Sequence, residues 1–550
     1  MSSPTRITFF GGLGEIGRNC AMVEVDDRAL VIDCGLMFPD AEQPGVDFIL
    51  PDFDCLRSRA GSIEAVVVTH GHEDHVGALP YFLREFDVPV YGTALSLGLA
   101  RSRLEEHGLA PRFVVIEGGQ RISIGPFEVE FFQVCHSVPD GVALGLRTPS
   151  ATIVHSGDFR LDPTPIDGRI TDLGGLARFA AGGVDLLLSD STNSEVTGHV
   201  RSEADVGRTF AELFGRAEGR IIVTCFASHI HRMQQVFDAT AACGRRVALV
   251  GRSITRNVSV ARELGYLRLS DELVLPVDEI DRHERSKVVV LSTGSQGEPL
   301  SALSLIAAGE HRHVGVESGD IVILSSSIVP GNEASVNGTI NDLTRAGAQV
   351  IHRGTALVHV SGHAAEEELK LMLNIVRPHA FVPVHGEWRH LAAHARLARA
   401  VGIPEDNVLI CEDGDVIEIS REGVEKVDRV DAGMVFVDGL GVGDIGGEVL
   451  RDRRILAGDG FVLCVVAVDI RTGHILGEPD LDSRGFVDVP ESLELFEEAR
   501  ARVVACLEES AEQGVHDPGT LRKQVRTALG RFFKERTNRR PLIIPTIVEV

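Results

Sequence analysis

The stretch VVVTHGHEDHVGALP, residues 66–80, carries three histidines and an aspartate within six residues, directly after an apolar run. These four residues, His70, His72, Asp74 and His75, are too polar and too close together to serve only as core residues. Imidazole nitrogens and carboxylate oxygens are the usual ligands of zinc and similar divalent cations. The stretch therefore predicts a metal site at the end of a β-strand, with enough ligands for one ion or for two.

The composition of the 550-residue chain, 44% hydrophobic and 24% charged, is that of a soluble globular protein with about two to four domains. The net charge of −26 argues against unspecific nucleic-acid binding through a basic surface. It does not exclude a nucleic-acid substrate, because bound cations and a local basic groove supply positive charge where it is needed.

The nine cysteines are scattered and show no C-x-x-C pair, which is typical of reduced thiols in the cytoplasm. The first residues contain no long apolar segment that would indicate a signal peptide. No apolar run approaches the roughly 20 residues that a membrane helix requires. We therefore expect a cytoplasmic protein without a membrane partner.

Short β-runs dominate up to about residue 205, and strands then alternate regularly with helices, which predicts βαβ units on a parallel sheet. After residue 355, the runs ALVHVSGH, AFVPVHG and NVLICEDGDVIEIS bring back strands that end on histidine or acidic residues. This return indicates one domain inserted into another. The predicted parts are a first domain in two segments, 1–205 and 356–440, an inserted α/β domain, 206–355, a linker, 441–455, and a small α+β domain, 456–550.

Four more predicted strand ends carry metal-binding types of residue, namely His136, Asp158, Asp190 and His385. Side chains at the ends of neighbouring strands converge on one edge of a sheet, so residues far apart in sequence meet there. Taken singly, Asp158 fits a turn equally well, and His136 or His385 fits a buried, hydrogen-bonded histidine. In combination with the first motif, the same residues favour a metal centre.

The pattern H-x-H-x-D-H, followed by a histidine about sixty residues on and an aspartate about twenty further, resembles the metallo-β-lactamase superfamily. The resemblance implies an αββα sandwich with two divalent ions at one edge, zinc or alternatively manganese. Paired ions roughly 3.5–4 Å apart clamp the attacking and leaving oxygens and lower the pKa of bound water. The implied ligands are His70, His72 and His136 for one ion and Asp74, His75 and His385 for the other, with Asp158 bridging both.

After Asp158, the order of Asp190, His363 in VSGH and His385 in VPVHG is similar to the β-CASP group, whose members act on nucleic acids. GGLGEIGRN, CHSVPDG, SGDFRLDP, STGSQGEP, HVSGHA and NRRPLIIPTIVEV narrow the resemblance to the bacterial ribonuclease J family over essentially the whole chain. His229 in FASHIHR is a departure, because many relatives are expected to have Asn there. The expected fold is therefore α/β, a metallo-β-lactamase αββα sandwich with an inserted β-CASP domain and a small α+β C-terminal domain.

The family resemblance implies hydrolysis of RNA phosphodiesters by a hydroxide that bridges two metals. It implies both 5′→3′ exonuclease and endonuclease activity, in mRNA decay and rRNA maturation. Asp74 and His363 are the expected catalytic residues, and Asp190 is expected to support the ligands. The residues expected to grip the substrate phosphates are Ser228, His229, His359, Val360, Ser361, Gly362 and His363.

The expected partners are single-stranded RNA with a 5′-monophosphate, further copies of the chain in a homodimer or homotetramer, and proteins of an RNA-decay complex. The most basic segment, RFFKERTNRRP at 531–541, fits an RNA guide, a subunit contact or a solvated helix end. The sequence leaves these three interpretations open.

Two other functions are compatible with the motifs. A thioesterase or lactamase would use the same ligands on a small substrate, but such a substrate has no need of the long insertion. A non-catalytic RNA-binding or scaffold protein would not require the intact ligand set. The glycines at 12, 14 and 17 resemble a dinucleotide motif, but a glycine-rich hairpin explains them better. STGSQGEP fits a phosphate cradle and a capped turn equally well.

Overall fold

The computed structural model describes residues 3–40, 42–329, 331–469, 471–488 and 492–550. The chain forms two compact units. The first comprises the residues up to Phe38 and Phe48–Val435, and the second comprises Pro39–Asp47 and Phe436–Val550. No helix in the described ranges is both long and apolar enough to cross a membrane.

Two β-sheets of the first unit face each other across a shared apolar core. Strands from both sheets contribute to it, for example Val23, Val67, Phe131 and Leu188, all essentially inaccessible to solvent. In spatial order, the strands of the eight-stranded sheet are Gly423–Arg429, Asp415–Ser420, Thr5–Gly11, Cys20–Val25, Arg28–Ile32, Ile63–Val67, Val90–Gly92 and Phe113–Val115. Those of the six-stranded sheet are Ala380–Val384, Leu186–Asp190, Thr152–His155, Gly141–Arg147, Phe127–Val134 and Arg121–Ile124.

Helices cover the outer faces of this sandwich. Buried Phe179, Leu373 and Ala395 of three helices join an apolar cluster with Phe132, Leu187 and other residues of the six-stranded sheet. The helices of this part of the chain are Asp54–Arg57, Glu73–Val76, Leu79–Glu85, Ala94–Glu106, Leu173–Ala180, Glu366–Val376 and Trp388–Ala400, with 3-10 turns Ala60–Ser62 and Glu405–Asn407. Two short strands, Leu13–Gly14 and Gly386–Glu387, pair in parallel, and Phe48–Pro51 is a further strand. The arrangement is the predicted αββα sandwich.

The insertion is visible in the strand pairing. Leu186–Asp190 and Ala380–Val384 are parallel neighbours in the six-stranded sheet, although almost 190 residues separate them in sequence. Between them lies a separate, fully parallel sheet with the spatial order Arg246–Val250, Val288–Ser292, Ile221–Thr224, Ile321–Leu324 and Gln349–His352. Its helices are Glu203–Arg216, Ile230–Ala242, Arg252–Glu263, Ala302–Ala307 and Glu333–Arg345, with 3-10 turns Asp271–Leu273, Val277–Arg282 and Arg285–Lys287. The predicted βαβ insertion is thus confirmed.

The second unit has a three-stranded sheet in the order Asp480–Arg484, Phe461–Val468 and Leu542–Glu549. Helices Leu493–Glu512 and Pro518–Thr537 pack together, and their buried leucines, valines and phenylalanines share one apolar cluster with the strands. Helix Gly447–Asp459 precedes the sheet, and Gly441–Val442 pairs with Met434–Asp438. This is the predicted small α+β domain.

Two local predictions differ from the structure. ALVHVSGH, 356–363, is not a strand, because the carbonyl oxygen of Val358 accepts hydrogen bonds from Arg232 and Ser325 side chains instead of a neighbouring strand. The predicted linker, 441–455, contains strand Gly441–Val442 and the first part of helix Gly447–Asp459. The helix forms because the glycine-rich stretch gives way at Gly447 to residues that include the good helix formers Glu, Leu and Arg. The predicted domain bounds remain predictions.

Candidate metal centre

Most of the predicted ligands and the predicted supporting residue Asp190 lie at or just beyond the carboxyl ends of strands, as the sequence indicated. His70 comes three residues after Ile63–Val67, and His136 two residues after Phe127–Val134. Asp158 follows Thr152–His155, Asp190 ends Leu186–Asp190, and His385 directly follows Ala380–Val384. Because the last four strands belong to the six-stranded sheet and run in the same direction, their ends share one edge.

Asp74 and His75 lie on the short helix Glu73–Val76, which starts directly after His72. The predicted ligands form two groups in which one ligand atom per residue lies within 4.8 Å of the others. The first group is His70, His72, His136 and Asp158, and the second is Asp74, His75, Asp158 and His385. All seven predicted ligands are therefore brought together, and Asp158 belongs to both groups.

The Asp158 carboxylate has a free oxygen between three imidazoles. Its Oδ2 lies 3.3 Å from Nε2 of His75, 3.6 Å from Nε2 of His70 and 3.8 Å from Nε2 of His136. Although buried, Asp158 Oδ2 and His385 Nε2 have no hydrogen-bond partner among the described residues. Buried polar atoms are rarely left unpaired. Imidazole nitrogens around a shared carboxylate therefore fit a pair of divalent ions.

Burial governs the protonation of the first group. It lowers the pKa of His70 and His136 well below the ordinary value, with neighbouring histidines adding to the effect. It also lowers the pKa of His72 to about 4. These imidazoles are neutral near pH 7, the form in which histidine binds a metal.

The carboxylates govern the second group. Burial opposes charge on His75 and His385, but nearby Asp158 and Asp74 outweigh it and raise both pKa values, that of His385 to about 10. Burial likewise disfavours ionised Asp158, yet His385, His75 and His70 hold the pKa of this carboxyl well below its usual range. The carboxylates of the second group therefore favour positive charge in this part of the site.

Asp33 orients His75, and the sequence reading missed it. Oδ2 of Asp33 accepts a hydrogen bond from Nδ1 of His75 at 2.8 Å, which leaves Nε2 directed at Asp158. Thr69 donates to both Asp33 oxygens, from its backbone N–H and its hydroxyl. Asp33 follows strand Arg28–Ile32 in VIDCG, so the strand-end pattern that identified the ligands was a usable signal.

The glycine-rich segment forms the hairpin between strands Thr5–Gly11 and Cys20–Val25, not a dinucleotide site. The carbonyl of Gly12 accepts from the backbone N–H of His385, whose φ of 55° is in the left-handed region. Asn19 donates from its backbone and its side chain to the carbonyl of Asp74 and lies 3.1 Å from His75 Nε2. The hairpin thus holds the three residues that belong only to the second group.

A buried ion-pair network anchors this hairpin. Arg18 is about 1% exposed and binds Glu15 at 2.7 Å and Asp413 at 3.0 Å. Asp413 also accepts from the backbone N–H of Leu13. Burial and the adjacent Glu15 raise the pKa of Asp413 to about 7, although Arg18 acts in the opposite direction.

His363 lies beside the ligands and is held by Asp190. Its Nδ1 is 2.8 Å from Asp190 Oδ2 and 3.8 Å from Asp158 Oδ2. Burial disfavours the charged imidazole, but Asp190 outweighs burial and raises the pKa of His363. Its side chain remains 20% exposed, so solvent or a substrate reaches it. Asp158, Asp190, His363 and His385 also form a third group with metal-ligand spacing.

The predicted phosphate-gripping segment lies between His363 and the inserted domain. The carbonyl of Gly362 accepts from Nδ1 of His136 at 2.8 Å, and that of Ser361 accepts from Arg160. Val360 is buried in the apolar core of the inserted domain. This segment therefore connects the first ligand group directly to the insertion.

His229 and His359 lie next to each other, with ring centroids 6.1 Å apart. Burial lowers the pKa of both imidazoles, and the positive charge of Arg232 lowers it further. Neither ring nitrogen of His229 has a hydrogen-bond partner among the described residues. Ser228 directly precedes His229 at the start of helix Ile230–Ala242 and is half-buried. The phosphate-binding role of these residues stays a prediction.

Family profiles match four consecutive parts of the chain. Residues 13–195 match the metallo-beta-lactamase superfamily, and 218–343 match the ribonuclease J beta-CASP domain. Residues 349–410 match a Zn-dependent metallo-hydrolase RNA specificity domain, and 448–550 match the ribonuclease J C-terminal domain.

The chain is 45% identical to ribonuclease J of Mycolicibacterium smegmatis over 99% of its own length and 97% of that protein. It is 43% identical to ribonuclease J of Thermus thermophilus, over 98% of this chain and 94% of that protein. Ribonuclease J2 of Bacillus subtilis is 40% identical over 99% and 98% of the two chains.

A solved structure from Enterococcus faecalis, of a protein of unknown function, matches 76% of this chain and all of that chain with a TM-score of 0.53 and 17% identity. That similarity concerns the fold alone. Full-length sequence identity and the four consecutive domain matches show that the chain belongs to the ribonuclease J family, with a metallo-β-lactamase domain, an inserted β-CASP domain and a ribonuclease J C-terminal domain.

Proposed function

We propose that the chain hydrolyses phosphodiester bonds of single-stranded RNA at the edge occupied by the two ligand groups. The observation that carries the proposal is the pair of groups sharing Asp158, with His363 next to both. The matched RNA specificity domain and the ribonuclease relatives support RNA as the substrate.

His70, His72 and His136 would hold one divalent ion, and Asp74, His75 and His385 the other, with Asp158 shared. Zinc is the proposed metal, with manganese as the alternative that the same ligands accept. When bound, two such ions would provide Lewis acidity for a phosphoryl oxygen and lower the pKa of a coordinated water.

The chain's own groups would prepare the substrate and move the proton. Asp190 holds Nδ1 of His363 and raises its pKa, so that the imidazole keeps a proton available for the leaving oxygen. Asp74 would orient the attacking water. Ser228, His229 and the segment 359–362 would bind substrate phosphates, because this segment joins the β-CASP domain to His136, whose Nδ1 donates to the carbonyl of Gly362.

The finer activity that we propose combines 5′→3′ exonucleolytic and endonucleolytic cleavage, with preference for a 5′-monophosphate, in mRNA decay and rRNA maturation. A homodimer or homotetramer in the cytoplasm, with partners from an RNA-decay complex, completes the proposal. The domain bounds predicted from the sequence belong to it as well.

The test uses 5′-labelled, 5′-monophosphorylated RNA with the zinc- or manganese-loaded chain and its His363→Ala variant. Labelled mononucleotide from the wild type indicates exonuclease action, and labelled fragments of intermediate length indicate endonuclease action. The variant is expected to lose about 10²–10⁴-fold in rate, the usual contribution of a general acid. RNA left intact by a metal-loaded wild type that hydrolyses a thioester instead would overturn the proposal.

A further inference from the structure

The outer face of helix Pro518–Thr537 carries a row of cations. Lys523, Arg526, Arg531 and Lys534, here called the basic stripe, are exposed, whereas Leu521, Val525, Leu529, Phe532 and Phe533 of the same helix are buried. With 3.6 residues per turn, the exposed line runs through positions 523, 527, 530 and 534, and Arg526 and Arg531 flank it. The stripe extends over roughly 16 Å of helix axis.

The stripe is not neutralised locally. Within the described ranges, no ion pair joins any of its four side chains to a carboxylate, although exposed cations elsewhere, such as Arg57, Arg345 and Arg429, do form such pairs. Residues 518–540 contain eight basic residues and one acidic residue in a chain of net charge −26. Positive charge is therefore concentrated in this segment of a chain whose net charge is negative.

Helix stability does not explain this pattern. Like charges three residues apart, as in the pairs 523/526 and 531/534, destabilise a helix by a few tenths of a kcal/mol each. Cations complement the helix dipole only in the last turn, and Lys523 and Arg526 lie in the first half. The stripe thus lowers helix stability and forms no ion pair with a carboxylate in the described ranges. This combination indicates that it binds another molecule.

We infer that the basic stripe binds the phosphate backbone of single-stranded RNA outside the catalytic edge. The inference rests on the proposed function, which supplies RNA as the substrate. Thr527 and Gly530, the residues between the cations, are small and allow a phosphate chain to approach the helix. The stripe has no apolar side chain for insertion into a membrane. An acidic surface of a second copy is the competing partner.

The test compares a quadruple variant, Lys523→Gln, Arg526→Gln, Arg531→Gln and Lys534→Gln, with a control of equal charge change. The control is Arg208→Gln, Arg216→Gln, Arg282→Gln and Arg345→Gln, four exposed cations that pair within their own helices or turns. Both are made in the full-length, metal-loaded His363→Ala background so that RNA survives the titration. Fluorescence anisotropy then measures binding of 5′-monophosphorylated oligouridylates of 6 and 30 nucleotides.

The stripe variant is expected to bind the 30-mer about tenfold or more weakly at low salt, and its affinity for the 30-mer falls relative to that for the 6-mer. The slope of log K against log salt is expected to fall by about 2 to 3, since each lost phosphate contact to a single strand contributes about 0.7. The control variant keeps the wild-type slope.

Equal effects of the two variants on the 30-mer, or no effect of either, would overturn the inference. Loss of assembly mass in sedimentation with an unchanged salt slope would assign the stripe to a second copy and overturn RNA as the partner. Thermal unfolding of each variant verifies the fold. If the chain with intact His363 degrades no RNA, the proposed function fails as a whole. If degradation persists and the length dependence is unchanged, only the stripe inference fails.

Discussion

The two ligand groups share Asp158 but are supported in different ways. The first group, His70, His72 and His136, contains neutral imidazoles, and the carbonyl of Gly362 orients His136. The second group, with His75 and His385, contains histidines of raised pKa and is held by Asp33 and the hairpin 12–19. The first group thus depends on the segment that leads from the inserted domain, and the second on the sandwich itself. Perturbing one support should weaken binding of one ion more than that of the other.

The largest effect is expected for Asp158→Asn, because this carboxylate belongs to both groups. Without its charge, both ions should be lost and the rate of RNA hydrolysis should fall by at least about 10³-fold. This loss is at the upper end of, or beyond, the rate loss caused by removing one oriented electrostatic contact. Metal content and initial rates measure this. Asp185→Asn is the matched control, since Asp185 accepts from Thr152 at the start of the strand that Asp158 follows. Retention of two ions by the Asp158 variant would contradict the shared role.

Asp33→Asn should weaken binding of the second ion more than that of the first, because Asp33 accepts directly from His75 and reaches His70 only through the Thr69 hydroxyl. Asn tolerates the positive φ of 59° at this position, so the backbone is preserved while the charged acceptor for His75 is lost. Such supporting contacts are worth about 10–100-fold in metal affinity. Competition with a graded series of chelators measures the two affinities separately. Equal weakening of both ions would show that the two supports are not independent.

Gly362→Ala should lower the affinity for the first ion by about tenfold. Losing a hydrogen bond that orients a ligating histidine typically has an effect of this size. A Cβ at this position would lie 2.8 Å from Cε1 of His136, too close unless the ring moves. Gly141→Ala is the control, because its Cβ would be 3.6 Å from Cβ of His70, an ordinary contact. The same chelator titration applies. An unchanged first affinity would indicate that His136 does not need the Gly362 contact.

The last expected effect concerns protein stability and not metal affinity, namely the pH dependence of the hairpin anchor. The pKa of Asp413 rises from near 4 to about 7 on folding, so the folded chain binds this proton more tightly and its stability falls as pH rises through that window. Asp413→Asn should remove this contribution. The wild type is expected to lose roughly 2–4 kcal/mol relative to the variant between pH 4 and pH 8. Urea unfolding of both metal-free proteins measures the difference, and parallel pH profiles would contradict it.

Much of the site was predictable because ligand chemistry is local in sequence. Residue type and spacing identify H-x-H-x-D-H as a metal-binding motif. The rule that strand ends converge made His136, Asp158 and His385 candidates, and the family resemblance implied their place in the ligand set. Asn19 was not predictable as a support, because its importance lies in its distance from Asp74 and His75, more than fifty residues away. The irregular segment 356–363 was misread as a strand, because its alternating apolar residues are buried without a neighbouring strand.

The sequence by itself determined which side chains are available for metal binding and, through its alternating strands and helices, an inserted α/β domain. The αββα sandwich and the family followed from the resemblance of its motifs to a known family. Only the tertiary structure decided that one oxygen of Asp158 lies among three imidazoles, that His385 is held through Gly12, and that four cations on one helix have no partner in the described ranges. These features are distances between atoms of residues that the chain brings together from separate elements, and no local pattern encodes such distances.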